Sequence, residues 1–221
     1  MFSMFSCRSG ARYLVSMSPI LVNDTRWLQD DKRRSEYILS SEDAESSIAS
    51  YDYQVYFCDK FRSSTREDYT PVLRLAEVTL NTAEAYARKG DISSAVTYLN
   101  EVRNRALADP ATQAYKASDF ADKKAAVEAI LFERRVEFLG EGIRWNDIHR
   151  LAADDLCPTG GIPAKVKWTA INGKSNNGFG IEIPARTIPA YPTSDRRFLW
   201  PIPVGELLYN DVLTTEQNQG W

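Results

Sequence analysis

The clearest pattern of hydrophobic positions lies between residues 70 and 106. Thr70 fits a helix cap and Pro71 fits the first turn, where the missing proline N–H costs nothing. Apolar residues then recur at spacings of three and four, which places them on one helical face: Leu73, Ala76, Leu80, Ala83 and Ala87. Gly90 fits the end of this helix and Asp91 the cap of a second one. Its apolar face consists of Ile92, Ala95, Val96, Leu99, Val102 and Ala106.

The short connection between these two helices predicts an antiparallel helical hairpin. Its small and bulky positions resemble a tetratricopeptide repeat in spacing: Ala83, Tyr86, Gly90, Ala95, Leu99 and Val102, with Pro110 slightly late. One such hairpin cannot bury its own apolar face, so it must pack on another part of the chain or on a partner. The predicted fold is therefore mainly α, with tetratricopeptide-like hairpins, a small β-hairpin and long irregular loops.

The remaining elements are less regular. A third helix is predicted from Ser118 or Asp119 to near Gly140, and a fourth from Ile143 to Leu151. Aromatic and β-branched residues predict strands at 36–39 and 51–57, separated by a polar loop at 40–50, and a β-hairpin from 166–171 and 181–183. The tail, 198–221, is expected to be extended. We assign residues 1–69, irregular and strand-containing, and residues 70–221, helical, to one domain.

Composition narrows the range of functions. The 221 residues carry Lys+Arg 27 against Asp+Glu 30, with no cluster of five basic residues, which argues against nucleic-acid binding. The three cysteines and single histidine form neither a disulfide framework nor a zinc motif: Cys7, Cys58, Cys157 and His149. Phe179 and Gly180 stand where a P-loop needs Lys and Ser or Thr. We therefore predict no metal and no cofactor.

Opposite charges are concentrated between residues 133 and 150. Several of these charges sit three residues apart and predict an ion-pair network of Arg134, Glu137, Glu141, Arg144, Asp147 and Arg150. The alternative is an acid/base pair for sugar hydrolysis, made from Glu133, Glu137 or Glu141, which requires one raised pKa in an open cleft. Interleaved guanidinium groups lower carboxyl pKa values, which favours the structural network and predicts no catalytic residue.

Aromatic side chains are the other candidates for ligand binding, because their flat faces can stack on sugar rings as well as pack in protein cores. Trp27, Trp168 and Tyr191 lie in predicted loops or hairpins, where binding residues are common. We take these three as the candidate ligand-binding residues. Trp145 lies inside a charged helix and is expected to cover the core.

Several ordered segments resemble the C-terminal part of the SusD/RagB family of bacterial nutrient-binding outer-membrane lipoproteins. They occupy residues 71–85, 95–106, 130–150, 199–210 and 213–221, and include Leu-Trp-Pro-Ile-Pro at 199–203. The family commonly has Pro where Gln219 stands here. The resemblance covers residues 70–221 in order, which makes it more specific than any single motif.

This resemblance implies a scaffold on the extracellular face of the outer membrane that captures oligosaccharides or other nutrients. The ligand would pass to a SusC-like TonB-dependent transporter without any bond being broken. Family members are longer, with a lipidated N-terminal cysteine and further repeats upstream. We therefore expect this chain to be a C-terminal piece without signal peptide or lipid anchor. A tetratricopeptide-type protein-binding module without a glycan ligand is the alternative.

Overall fold

The computed structural model describes residues 17–40, 56–61, 68–69, 71–166, 187–210, 212–213, 216–218 and 220. The α-helices in these ranges are α1 (Pro19–Val22), α2 (Lys32–Tyr37), α3 (Leu75–Lys89), α4 (Ile92–Arg103), α5 (Pro110–Gln113), α6 (Lys123–Glu137), α7 (Ile143–Arg150) and α8 (Val204–Tyr209). The strands are β1 (Ile38–Ser40), β2 (Tyr56–Cys58), β3 (Gly161–Ile162), β4 (Lys165–Val166), β5 (Thr187–Ile188) and β6 (Tyr191–Pro192). They form three antiparallel pairs, β1–β2, β3–β6 and β4–β5. The predicted mainly helical fold is confirmed.

The predicted helical hairpin consists of α3 and α4. Asp91 caps α4 by accepting a hydrogen bond from the Ser94 amide. The first helix begins at Leu75 instead of Pro71, because Arg74 has an extended backbone and turns its side chain to carboxylates elsewhere in the fold. As a result Leu73, which the periodicity places on the buried face, is 69% exposed.

The turn between α3 and α4 depends on Gly90, whose φ of 88° lies in the left-handed region. Gly90→Ala is expected to cost about 1 kcal/mol, since a Cβ is strained there although no atom lies within 4 Å of its position. Gly205→Ala is the matched control, because Gly205 lies in α8 at ordinary φ with equally open surroundings. We expect it to be neutral or stabilising in urea unfolding. Equal costs for both substitutions would contradict the turn's role.

The main core forms where α6 packs across the hairpin. Asp122 caps α6 through the Ala125 amide, so the helix begins later than Ser118 or Asp119, which lie in a separate 3₁₀ turn at Ala117–Asp119. Buried side chains from the three helices fill this core: Ala76, Leu80, Ala83, Ala87, Ala95, Leu99, Val102, Ala126, Val127, Ala129, Ile130 and Phe138. The hairpin thus buries its apolar face on α6 of the same chain.

A second core attaches the upstream segment to the other side of α6. It joins Met17, Leu21, Val22, Trp27 and Cys58 to Phe132 and Val136 of α6. The β1–β2 pair covers one end, in the register Ile38↔Cys58. The predicted strands at 36–39 and 51–57 overlap these strands, although residues 51–55 lie outside the described ranges.

The C-terminal region differs from its prediction. The expected hairpin of residues 166–171 and 181–183 lies outside the described residues except for Val166, which pairs with Thr187 in β4–β5. The tail forms the short helix α8 where an extended segment was predicted. Pro203 precedes this helix, and its ring fixes φ at −54°, a value compatible with a helix. The negative charge of Glu206 in the first turn interacts favourably with the helix dipole.

Candidate functional site

Three glutamates spaced four apart, Glu133, Glu137 and Glu141, form a row along the end of α6 and the following turn. We call them the carboxylate row. All three are buried, and Glu133 is only 1% exposed. Glu133 accepts hydrogen bonds from Arg33 Nη1 at 2.5 Å and from Arg103 Nη1 at 3.1 Å. Both carboxylate oxygens of this residue are therefore occupied.

The other two members of the carboxylate row share Arg74. Arg74 Nη1 donates to Glu137 Oε1 at 2.7 Å, and its Nε donates to Glu141 Oε2 at 2.9 Å. Glu137 also accepts from Arg33 at 3.0 Å, and Glu141 from Lys60. These cations come from α2, from the residue before α3 and from the loop after β2, so the row ties distant segments to α6.

A second cluster of charges joins α6 to α7 and α3. Arg134 donates to both oxygens of Asp147 at 3.1 Å, which joins α6 to α7. Arg150 donates hydrogen bonds to both carboxylate oxygens of Glu84 on α3, each at 2.8 Å, and another to Asp147 at 2.8 Å. Such two-pronged pairs are among the stronger hydrogen bonds in proteins because both partners are charged and fixed in geometry.

The observed ion pairs differ in part from the spacing predicted for residues 134–150. Asp147 pairs with Arg150 as the spacing of three predicts, whereas Arg134 pairs with Asp147 in place of Glu137. Glu141 and Arg144 are not on one helix, because Gly140 and Gly142 interrupt it with φ of 76° and 86°. Arg144 therefore has no ion pair within the described part of the chain.

These contacts decide what the carboxylate row can do chemically. Burial alone would raise the pKa of Glu137, but the hydrogen bond and charge of Arg74 and the charge of Arg33 hold its pKa below the usual range. A general acid for glycoside hydrolysis needs the reverse, a raised pKa in an open cleft. No group of three metal-binding side chains occurs among the described residues. The row is suited to holding segments together.

The same pKa shifts predict how stability depends on pH. The pKa values of Glu137 and Glu84 lie below the ordinary 4.5 in the folded protein, so the unfolded chain takes up these protons first. Their stabilising effect is complete above that pH and is lost as the pH falls through the folded pKa values. Urea unfolding across this range should show falling stability, with a shallower slope for Glu84→Gln. A flat profile below pH 4.5 would contradict the assignment.

The three candidate ligand-binding aromatics occupy different environments. Trp27 is 1% exposed in the second core, with Arg34 lying 4.6 Å above its ring. Tyr191 is half-buried in β6 and carries Arg197 at 3.5 Å over its ring. Trp168 lies outside the described residues. The described structure does not bring Trp27 and Tyr191 together, and Trp27 is not accessible to a ligand without repacking of the core.

An aromatic cluster that was not among the sequence candidates lies between α7 and the tail. His149 stacks on Phe198 at 4.2 Å and lies 4.3 Å from Trp145, whose ring meets Trp200 edge to face at 6.2 Å. Trp200 is 73% exposed, so its indole face is open to solvent. The sequence does show Trp200 close to two prolines in the tail. The neighbouring residues do not tell whether such a tryptophan is exposed to a ligand or packed in the core.

Comparison with known proteins identifies the family. The sequence matches the SusD family over residues 19–221. This chain belongs to the SusD family. Among curated proteins, none matches the sequence.

Solved SusD-like structures show how much of the family fold is present. A SusD-like carbohydrate binding protein from Bacteroides vulgatus ATCC 8482 aligns with a TM-score of 0.57 and 23% identity. The alignment covers 89% of this chain and 40% of that protein. A SusD superfamily protein from Bacteroides fragilis NCTC 9343 aligns with a TM-score of 0.48 and 22% identity, covering 87% of this chain and 38% of that one. The chain thus spans well under half the length of these SusD-like structures.

The structure adds one observation about membranes. No helix in the described ranges of this SusD-family chain has the length and apolar character needed to cross a bilayer.

Proposed function

We propose that this chain is part of a SusD-type protein that binds an oligosaccharide or related nutrient at the cell surface without cleaving it. Membership of the SusD family supports this, as does the pairing of the carboxylate row, since each of its three carboxylates is held by a cation. The observation that carries the proposal is the open indole face of Trp200, held edge to face by Trp145. Aromatic faces of this kind stack on sugar rings.

Trp200→Ala is expected to weaken oligosaccharide binding about three- to tenfold, as loss of one aromatic contact predicts. Binding can be measured on an immobilised oligosaccharide array, followed by calorimetry with the sugars retained. Tyr209→Ala is the matched control, because Tyr209 is an exposed aromatic residue of the same tail, 90% exposed on α8. Equal binding by both variants and the parent would remove Trp200 from the site. Trp168 and Tyr191 remain proposed ligand contacts for the same assay.

We further propose that the ligand passes to a SusC-like TonB-dependent transporter, and that the protein is held on the extracellular face of the outer membrane by a lipid anchor. The family supports both proposals. Purification of the native protein from outer-membrane fractions tests them together. A larger lipidated species that co-purifies with a β-barrel transporter is the expected result, and a 25 kDa species outside the membrane fraction, without a partner, would contradict both.

The alternative, a tetratricopeptide-type module that binds protein termini, is less well supported. Such a module needs exposed Asn, Lys and Arg side chains along a groove. On the outer side of α3, Asn81 lines a shallow depression with Lys89, but its side-chain oxygen already accepts a hydrogen bond from Arg134 at 2.6 Å.

A further inference from the structure

A cavity of about 220 Å³ lies where the turn between α6 and α7 meets α1 and the end of β2. Most of its wall is apolar and comes from separate parts of the chain: Met17, Leu21, Cys58, Phe138, Leu139 and Ile143. Its volume is somewhat below the roughly 300–1,000 Å³ of sites for drug-sized ligands. The cavity therefore suits a ligand with a small, compact body.

The cavity wall contains more positively charged than negatively charged side chains. It contains three arginines, Arg134, Arg135 and Arg144, and one carboxylate, Asp147. Asp147 is already saturated, with two contacts from Arg134 at 3.1 Å and one from Arg150 at 2.8 Å. Within the ranges that the structure describes, the guanidinium groups of Arg135 and Arg144 have neither an ion pair nor a hydrogen bond. Two guanidinium groups in the wall therefore lack a hydrogen-bond or ion-pair partner among the described residues.

Arg135 is half-buried, whereas Arg144 lines the same cavity but is exposed to solvent. Burial lowers the pKa of Arg135 to about 10, and the nearby charge of Arg144 lowers it further. Arg144 is exposed overall, and burial of part of its side chain lowers its pKa against the attraction of Asp147. Asp24 attracts Arg135 but is itself paired with Arg26 at 2.7 Å. Both arginines remain charged at neutral pH, so an anion placed between them would relieve their mutual repulsion and supply the missing hydrogen bonds.

We propose that this cavity binds a small organic carboxylate, with its charged group between Arg135 and Arg144 and its apolar body against the apolar wall. Guanidinium groups are suited to this because their planar N–H forks match a carboxylate, and weak hydration lets them work in a partly buried wall. The site is separate from the proposed sugar contact, since Trp200 and Trp145 do not line it. Failure of either proposal leaves the other intact.

Benzoate is a suitable probe, because it joins a carboxylate to one apolar ring. Calorimetric titration of the 221-residue chain should show benzoate binding at least tenfold more tightly than benzyl alcohol, which has the same ring without the charge. Arg135→Gln and Arg144→Gln should each weaken benzoate binding about tenfold or more. Lys124→Gln is the matched control, since Lys124 is an exposed cation on the same helix outside the cavity wall, and it should leave binding unchanged.

The stability of the variants provides an independent check on the result. Because neither arginine has an ion pair or hydrogen bond among the described residues, both Gln variants should keep or raise the thermal midpoint, so lost binding will not reflect unfolding. Arg135→Lys keeps the charge without the planar fork and should show intermediate affinity. Equal binding of benzoate and benzyl alcohol, no benzoate binding, or unchanged binding in both Gln variants would overturn the proposal.

Discussion

Glu133→Gln is expected to lower the free energy of unfolding by about 3–5 kcal/mol. Glu133 is the most buried member of the carboxylate row and neutralises Arg33 and Arg103, each only 3% exposed. The amide keeps the size of the side chain but removes the charge, so Arg103 loses its ion pair among the described residues, while Arg33 keeps those to Asp31 and Glu137. The buried Nε of Arg103 already lacks a hydrogen-bond partner among the described residues, which adds to the cost of losing Glu133.

Urea denaturation at neutral pH measures this loss, and Glu128→Gln is its control on the same helix. Glu128 is half exposed and meets Lys124 only at 3.9 Å, so its loss should cost at most about 0.5 kcal/mol. The difference between the two variants isolates burial from the change of residue type. A cost below about 1 kcal/mol for Glu133→Gln would mean that the network adds little to stability.

Trp27→Ala is expected to cost about 3–5 kcal/mol, the range for removing a large buried aromatic side chain. Trp27 is 1% exposed, packs in the second core with Phe132 and Val136, and has Arg34 stacked over its ring. Its indole Nε1 is buried and has no hydrogen-bond partner within the described ranges, so packing is the interaction that the substitution removes there. Chemical denaturation followed by circular dichroism measures the effect without relying on the lost tryptophan's fluorescence.

The control is Trp200→Ala, which removes the same side chain from a position that is 73% exposed and should change stability by no more than about 0.5 kcal/mol. The pair of variants thus separates a tryptophan that holds the fold from one that is available to a ligand. A mild effect at Trp27 with lost oligosaccharide binding would instead support Trp27 as a ligand contact.

The helical part of the fold could be predicted because its signals are local. The spacing of Ala76, Leu80, Ala83 and Ala87, with Gly90 and Asp91 at the turn, is sufficient to define the hairpin. The start of α3 could not be predicted, because it depends on Arg74 reaching Glu137, 63 residues away. A capping rule that considers only neighbouring residues does not contain that contact.

In the candidate site, too, contacts between neighbours in the sequence could be predicted and contacts between distant segments could not. The charge-rich segment was evident in the sequence, and the pairing of Asp147 with Arg150 follows from helical spacing. The partners of Glu133 are Arg33, 100 residues earlier in the chain, and Arg103 on another helix. The spacing of residues along α6 does not predict either contact. The burial of Trp27 and the exposure of Trp200 likewise depend on which segments cover each ring.

The central claim, binding without cleavage, is tested most directly by mass spectrometry of sugars retained by the protein. The chain is incubated with a mixed pool of oligosaccharides and then separated from unbound sugar. The masses of the sugars in the retained and free fractions are measured. We predict that some oligosaccharides are retained at their original masses and that no shorter products accumulate. Retention of none, or the accumulation of shorter hydrolysis products, would contradict the account.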